Sequence, residues 1–159
     1  MTADPERLLG ADALGDTLTR LWSAVEPRRA VGGWATVELN RAEIEVAVAL
    51  AELHELRDPR VEDAPDERLL GARGRFLQYA DGRDMLLLEP STEGRLAAAL
   101  ARYGEGSVAL YLLVDAGAPE RARRAGFRLS SEGRGPFGPE RLVIAGPRWG
   151  PFLVIAGLD

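Results

Sequence analysis

The chain of 159 residues is long enough for one domain or two small packed halves, and too short for a multidomain enzyme. All 20 basic residues are arginine against 25 acidic residues, and the net charge of −5 argues against nucleic acid as the main partner. Cysteine and lysine are absent from the sequence, which excludes thiolate catalysis, iron–sulfur clusters, disulfides and Schiff-base chemistry. His54 is the one histidine, so a multi-histidine metal site within one chain is excluded as well.

The sequence contains no segment typical of a signal peptide or a membrane span. Its N-terminus lacks a basic start followed by an apolar stretch. The longest apolar run, at 108–114, is about a third of the length needed to cross a bilayer. We therefore expect a cytoplasmic protein with no membrane partner.

Residues 1–30 are predicted to form an N-terminal helical extension. Asp4-Pro5-Glu6 is typical of a helix start, and Pro27 ends the pattern. Between them, apolar side chains recur at the spacing of one helix face, and we expect this face to pack on the body of the protein or on a twin subunit. These side chains are Leu14, Leu18, Leu21, Trp22 and Val25.

The remaining elements repeat one order twice. Residues 34–39 alternate like a half-buried strand, 41–56 are predicted to form a helix, and the charged segment 57–66 is predicted to be a loop. Strands are expected near 69–70, 75–79 and 85–88, with a hairpin turn at 80–82, and then a helix at 92–103. The second round has a strand at 108–114, a short helix at 119–125, and strands at 126–129, 142–145 and 152–156, with 133–139 as a rim loop. The two βαβββ units start about 75 residues apart, which indicates an internal duplication.

Several short segments carry a family resemblance. They are Leu86-Leu87-Leu88-Glu89-Pro90, Gly104-Glu105-Gly106 before a strand, Ala125-Gly126-Phe127-Arg128-Leu129, and a glycine-led apolar strand at the end. In this order they resemble the vicinal oxygen chelate superfamily, also called the glyoxalase/bleomycin-resistance fold, and methylmalonyl-CoA epimerases in particular. The resemblance implies an α+β fold in which two βαβββ modules form an open barrel. Residues 31–104 would be the first module with a linking helix, and 105–159 the second.

The resemblance also implies a divalent metal, held by two histidines, a glutamine or glutamate, and a glutamate on four strands that face a cup. In this sequence those positions fall at about Trp34, with an uncertainty of one residue, and at Leu86, Ala109 and Val154. None of these side chains can bind a metal ion. We therefore expect a metal-independent protein with no cofactor, to which the epimerase activity does not carry over.

Strand alternation then predicts what faces the cup instead. A mostly apolar cup suits a small, mostly apolar organic ligand, and bleomycin-resistance members of the superfamily bind drugs in this way, often as dimers. The expected lining residues are Trp34, Thr36, Glu38, Leu86, Leu88, Ser107, Ala109, Tyr111, Phe152 and Val154.

Three functions stay open on the sequence alone. The first is a binding protein, and the resemblance implies that it is a homodimer. The second is a metal-free isomerase or cyclase with Glu38 as general base and Tyr111 as hydrogen-bond donor. The alternative for Glu38 is that it lies in water at a strand end or pairs with an arginine. The third is a degenerate, non-catalytic paralogue whose cup is filled by side chains.

Overall fold

A computed structural model describes residues 12–54, 58–144 and 151–157, which form four helices and eight strands. The helices are α1 (Asp12–Val25), α2 (Leu39–His54), α3 (Arg95–Tyr103) and α4 (Ala118–Arg124). The strands are β1 (Arg29–Ala35), β2 (Arg60–Glu67), β3 (Ala72–Gln78), β4 (Asp84–Pro90), β5 (Gly106–Leu113), β6 (Gly133–Gly135), β7 (Gly138–Val143) and β8 (Phe152–Ala156).

The eight strands form one sheet with an internal symmetry. Their order is β2-β3-β4-β1-β5-β8-β7-β6, so each module contributes four adjacent strands with its first strand at the centre. In both modules the first strand pairs in parallel with the last, β1 with β4 and β5 with β8. The modules meet where β1 pairs antiparallel with β5. This repeated pairing confirms the expected α+β fold of two βαβββ modules.

The two edge strands of the sheet approach each other. The backbone N–H of Arg68, directly after β2, donates to the carbonyl oxygen of Arg134 in β6 at 3.1 Å. The sheet is thereby nearly closed into a barrel. We call the contact between the end of β2 and β6 the seam.

Helices α1, α2 and α4 cover the outer face of the sheet, whereas Leu96 and Ala99 of α3 pack into the inner cluster. Leu18, Leu21 and Val25 of α1 are buried in one cluster with Leu110 and Leu112 of β5, so the stripe predicted for this helix packs on the body of the protein. Trp22, from the same stripe, stays 39% exposed. The predicted start at Asp4-Pro5-Glu6 and the side chain of Leu14 lie outside the described residues. None of the described helices is both long and apolar enough to span a membrane.

Five local predictions were wrong. The strand predicted at 34–39 is β1 at Arg29–Ala35, and Leu39 already belongs to α2. Residues 57–66 contain strand β2 rather than only a loop, and 69–70 form the turn that follows it. Strand β2 lies at the edge of the sheet with almost all its side chains exposed, so it shows no apolar alternation, and Pro65 is tolerated there beside a register shift. Segment 126–129 contributes one isolated bridge, from Leu129 to Val143, and the expected rim loop 133–139 contains the β6–β7 hairpin.

Candidate functional site

Six of the expected lining residues meet on the inner face of the barrel. They belong to one apolar cluster, and none is more than 4% exposed. The strand register brings them together, since Ala109 pairs with Phe152 and Tyr111 with Val154. We call this inner cluster the cup, and its members from the expected set are Leu86, Leu88, Ala109, Tyr111, Phe152 and Val154.

Trp34 does not face the cup, and Gly33 takes that place. A Cβ atom built on Gly33 would lie 3.1 Å from Cβ of Ala109 and 3.3 Å from Cδ1 of Leu88. Trp34 packs instead against the outer cluster beneath α2. Alternation along β1 is regular, with Val31, Gly33 and Ala35 inward, so the metal position falls on the residue next to Trp34, within the uncertainty of one residue that the prediction carried.

Glu38 lies outside the cup because β1 ends at Ala35. Its side chain is exposed, and its carboxylate accepts hydrogen bonds from the backbone N–H groups of Asn40 at 3.1 Å and Arg41 at 3.2 Å. This is the geometry of a helix N-cap, so Glu38 holds the start of α2. The expectation that Glu38 lies in the cup as a general base was wrong.

Thr36 and Ser107 also lie apart from the cup. Thr36 is buried, but its hydroxyl donates to Oε1 of Glu105 at 2.9 Å, and the backbone N–H of Val37 donates to the same oxygen. Ser107 is exposed near the start of β5, opposite Trp34. Strand alternation failed at both positions because a strand end and a register shift interrupt it.

The cup contains two buried carboxyl groups that sequence reasoning missed. Glu67, the last residue of β2, and Glu140 of β7 are both fully buried. The Tyr111 hydroxyl donates to Oε2 of Glu67 at 2.6 Å, and the backbone N–H of Leu69 donates to Oε1 at 3.0 Å. Neither oxygen of Glu140 accepts a hydrogen bond from any described residue. A buried acceptor without a donor is uncommon in folded proteins.

The two carboxyl groups share one electrostatic environment. Burial, and after it the adjacent Glu67 carboxyl group, raise the pKa of Glu140 to about 10. Burial, followed by the charges of Glu67 and Glu140, raises the pKa of Tyr111 well above its usual value. Among the described residues, no arginine forms an ion pair with either glutamate.

Glycine and aromatic residues shape the surroundings of this pair. A Cβ atom built on Gly135 of β6 would overlap the Glu140 carboxyl group, so the edge strand presents bare backbone to that side chain. The ring of Phe137 lies 5.4 Å, centroid to centroid, from both Tyr111 and Phe76. Phe76 and Phe137 are only partly buried, so this aromatic row connects the carboxyl pair to the surface.

A sequence signal existed for Glu140 but not for Glu67. Glu140 lies two positions before Leu142, where the predicted strand begins, and alternation places both on one face because the strand in fact starts at Gly138. Glu67 ends a strand whose other side chains are mostly exposed and charged. Its burial depends on the seam, which only tertiary contacts create.

The side chains present do not fit the metal that the resemblance implies. At the four corresponding positions the cup presents Gly33, Leu86, Ala109 and Val154, which offer no donor atoms. Among the described residues, no three His, Cys, Asp or Glu side chains lie close enough together to hold a metal ion.

Comparisons with known proteins support the fold alone. No protein-family model matches the sequence, and no curated protein matches it. Among solved structures, methylmalonyl-CoA epimerase from Mycobacterium tuberculosis superposes with a TM-score of 0.61 at 18% identity, covering 81% of this chain and 86% of that one. A hypothetical protein from Bacillus halodurans C-125 superposes with a TM-score of 0.58 at 18% identity, covering 79% of this chain and 89% of that one. The chain therefore has a vicinal-oxygen-chelate-type fold.

Proposed function

We propose that the protein binds a small, mostly apolar organic molecule in the cup, without a metal ion at the four inner positions. The observation that carries the proposal is Glu140, a fully buried carboxyl group whose oxygens lack a donor among the described residues. Burying such a group without a partner is costly, and a ligand that supplies the partner would offset the cost.

The wall around Glu140 supports the same proposal. The aliphatic side chains Leu86, Leu88 and Val154 lie on the inner face with the aromatic residues Tyr111 and Phe152. Apolar walls with a few convergent polar groups are the usual composition of a small-molecule site. Size and shape would be recognised by the wall, and orientation by the carboxyl pair.

One further candidate function is a metal-free isomerase that uses Glu67 and Glu140 rather than Glu38. The pKa of about 10 at Glu140 keeps it protonated near neutral pH beside Glu67. A carboxylic acid adjacent to a second carboxyl group is an arrangement suited to general acid–base chemistry. Turnover of a bound ligand that is lost in Glu67→Gln, with ligand affinity retained, would select this candidate over simple binding.

The proposal includes a homodimer, as the resemblance implies. Ile44 and Val48 of α2 are 67% and 52% exposed and lie one helical turn apart, on the side of the helix turned away from the sheet. Exposed apolar side chains in one patch often mark a protein contact. The stripe of α1 is already largely buried against its own chain, so we place the contact on α2.

The binding proposal is tested by NMR with methyl-labelled leucine and valine. A panel of 2-phenylethanol, indole and 2-phenylethylamine is titrated into the protein. We expect shifts at the cup methyls of Leu86, Leu88 and Val154, while Leu110 and Leu112 on the outer face of β5 serve as matched controls. Shifts confined to the outer face, or none with any member of the panel, would contradict the proposal. Mass spectrometry of natively purified protein tests separately for a molecule that copurifies.

A further inference from the structure

In the part of the chain that the structure describes, the carboxyl pair in the cup has no positively charged partner. The chain has 20 arginines. Among the described residues, even exposed acidic side chains such as Asp63 and Glu45 lie within ion-pair distance of an arginine. Glu67 and Glu140, which are fully buried, have no such partner there. Buried charges in folded proteins are normally paired or coordinate a metal ion. A ligand could therefore supply the positive charge that no described residue provides beside Glu67 and Glu140.

Aromatic rings lie beside the pair. Tyr111 donates to Glu67, and the Phe137 ring contacts Tyr111 and Phe76 in turn. Aromatic faces attract cations through their quadrupole, and rings combined with carboxylates are a recurring way to hold organic ammonium groups. The rings and the carboxyl pair thus favour the same kind of ligand.

We propose that the ligand is an organic amine, whose ammonium group binds between the carboxyl groups of Glu67 and Glu140 while its apolar body lies along Tyr111 and Phe137. This inference rests on the proposed function, because it assigns the polar end of the molecule that the cup would take. The ammonium N–H groups would supply the donors that the Glu140 oxygens lack. On binding, Glu140 loses its proton to solvent, and the ligand's positive charge then lies between two carboxylates.

Other polar ends fit the site less well. A carboxylate or phosphate would be repelled by Glu67 and would bring no donor to Glu140. A neutral carbonyl group could accept the Glu140 proton, but it would bring no donor to either glutamate. An ammonium group alone among these satisfies both glutamates at once.

Three probes of similar size but different charge test the inference: 2-phenylethylamine, 2-phenylethanol and 3-phenylpropanoate. Their affinities are measured by isothermal titration calorimetry at pH 6, 7 and 8 in buffers of different ionisation enthalpy. We expect the amine to bind at least about tenfold more tightly than the alcohol, and the propanoate to bind weakest. The titratable groups facing Glu140 are Glu67 and Tyr111, and amine binding should release up to one proton, so its affinity should rise by up to about tenfold per pH unit.

Two conservative variants assign the effect to the carboxyl pair. Glu140→Gln should remove the proton release and the pH dependence of amine binding. Glu67→Gln should lower the affinity for the amine by about tenfold or more. The affinity for the alcohol should be unchanged in both variants. Glu62→Gln, exposed on the same strand as Glu67, and Glu132→Gln, exposed just before β6, are the matched controls. Equal binding of amine and alcohol without proton release would overturn the amine inference and leave the binding proposal standing. Failure of all three probes to bind would overturn both.

Discussion

Glu140 couples the stability of the protein to pH. An unfolded glutamate has a pKa of about 4.3, whereas burial beside Glu67 raises the pKa of Glu140 to about 10. The folded state therefore holds a proton that the unfolded state has released across this range. The stabilisation of the folded state by this bound proton is complete below about pH 4 and is lost as the pH rises towards 10.

The first prediction concerns this pH dependence. The free energy of unfolding of the parent protein should fall between pH 6 and 9 by up to about 1.4 kcal/mol per pH unit, since one proton is involved. In Glu140→Gln that slope should disappear, because glutamine does not titrate. Urea denaturation followed by circular dichroism at each pH measures both curves, with Glu132→Gln as the exposed control. Equal slopes of unfolding free energy against pH in the parent and in Glu140→Gln would show that Glu140 is not protonated in the folded protein over this range.

The second prediction separates Glu38 from the ligand site. Its carboxylate caps α2 through the N–H groups of Asn40 and Arg41. Glu38→Ala should lower the free energy of unfolding by about 1 kcal/mol, the usual cost of a lost N-cap. Ligand affinity should stay the same, because the side chain lies outside the cup. If Glu38→Ala lost ligand affinity while its stability was unchanged, Glu38 would instead belong to the binding site.

At the scale of elements, the short strand β6 closes the barrel through its glycines. Gly135 lies against the Glu140 carboxyl group, and a Cβ atom built on Gly133 would lie 2.6 Å from Cδ2 of Leu69. Neither glycine has the positive φ that would strain a side chain for backbone reasons alone. Their role is therefore close approach, which lets β6 reach the end of β2.

The third prediction follows from this close approach. Gly135→Ala should cost about 1–3 kcal/mol of stability, the usual penalty for overpacking, because its methyl group would overlap the Glu140 carboxyl group. Combining it with Glu140→Ala should restore part of the loss, since the smaller side chain frees the space. Thermal and urea unfolding of the two single variants and the double variant form the cycle. Strict additivity of the two effects would show that these groups do not touch.

For the whole molecule, the duplicated module leaves α2 with an exposed apolar surface. The fourth prediction is that Ile44→Glu shifts a homodimer towards monomer in sedimentation velocity at micromolar concentration, while the unfolding midpoint of the monomer changes little. Because Ile44 is 67% exposed, a glutamate at this position should change the stability of the monomer little. Glu52→Ala, exposed on the same helix, is the control. A parent protein that sediments as a monomer would contradict the dimer.

The modular fold was predictable from the sequence wherever side chains repeat with the period of their element. Strand β8 and the inner residues Leu86, Ala109 and Val154 followed from apolar patterns and from the family resemblance. Strand β2 was not predictable, because an exposed edge strand need not bury an apolar face. The orientation of Trp34 was missed because the first strand was predicted at 34–39, whereas it runs from Arg29 to Ala35 with Gly33 facing inward.

By itself, the sequence determined that the chain repeats a βαβββ unit and that its central strands carry mainly apolar residues. Both are local properties, set by residue type and spacing along one strand or helix. Only the tertiary structure decided that Glu67 and Glu140 meet. They lie 73 positions apart, on strands from different modules, and come together because the barrel closes at the seam. A contact formed when a sheet closes produces no periodic pattern of residue types along the sequence.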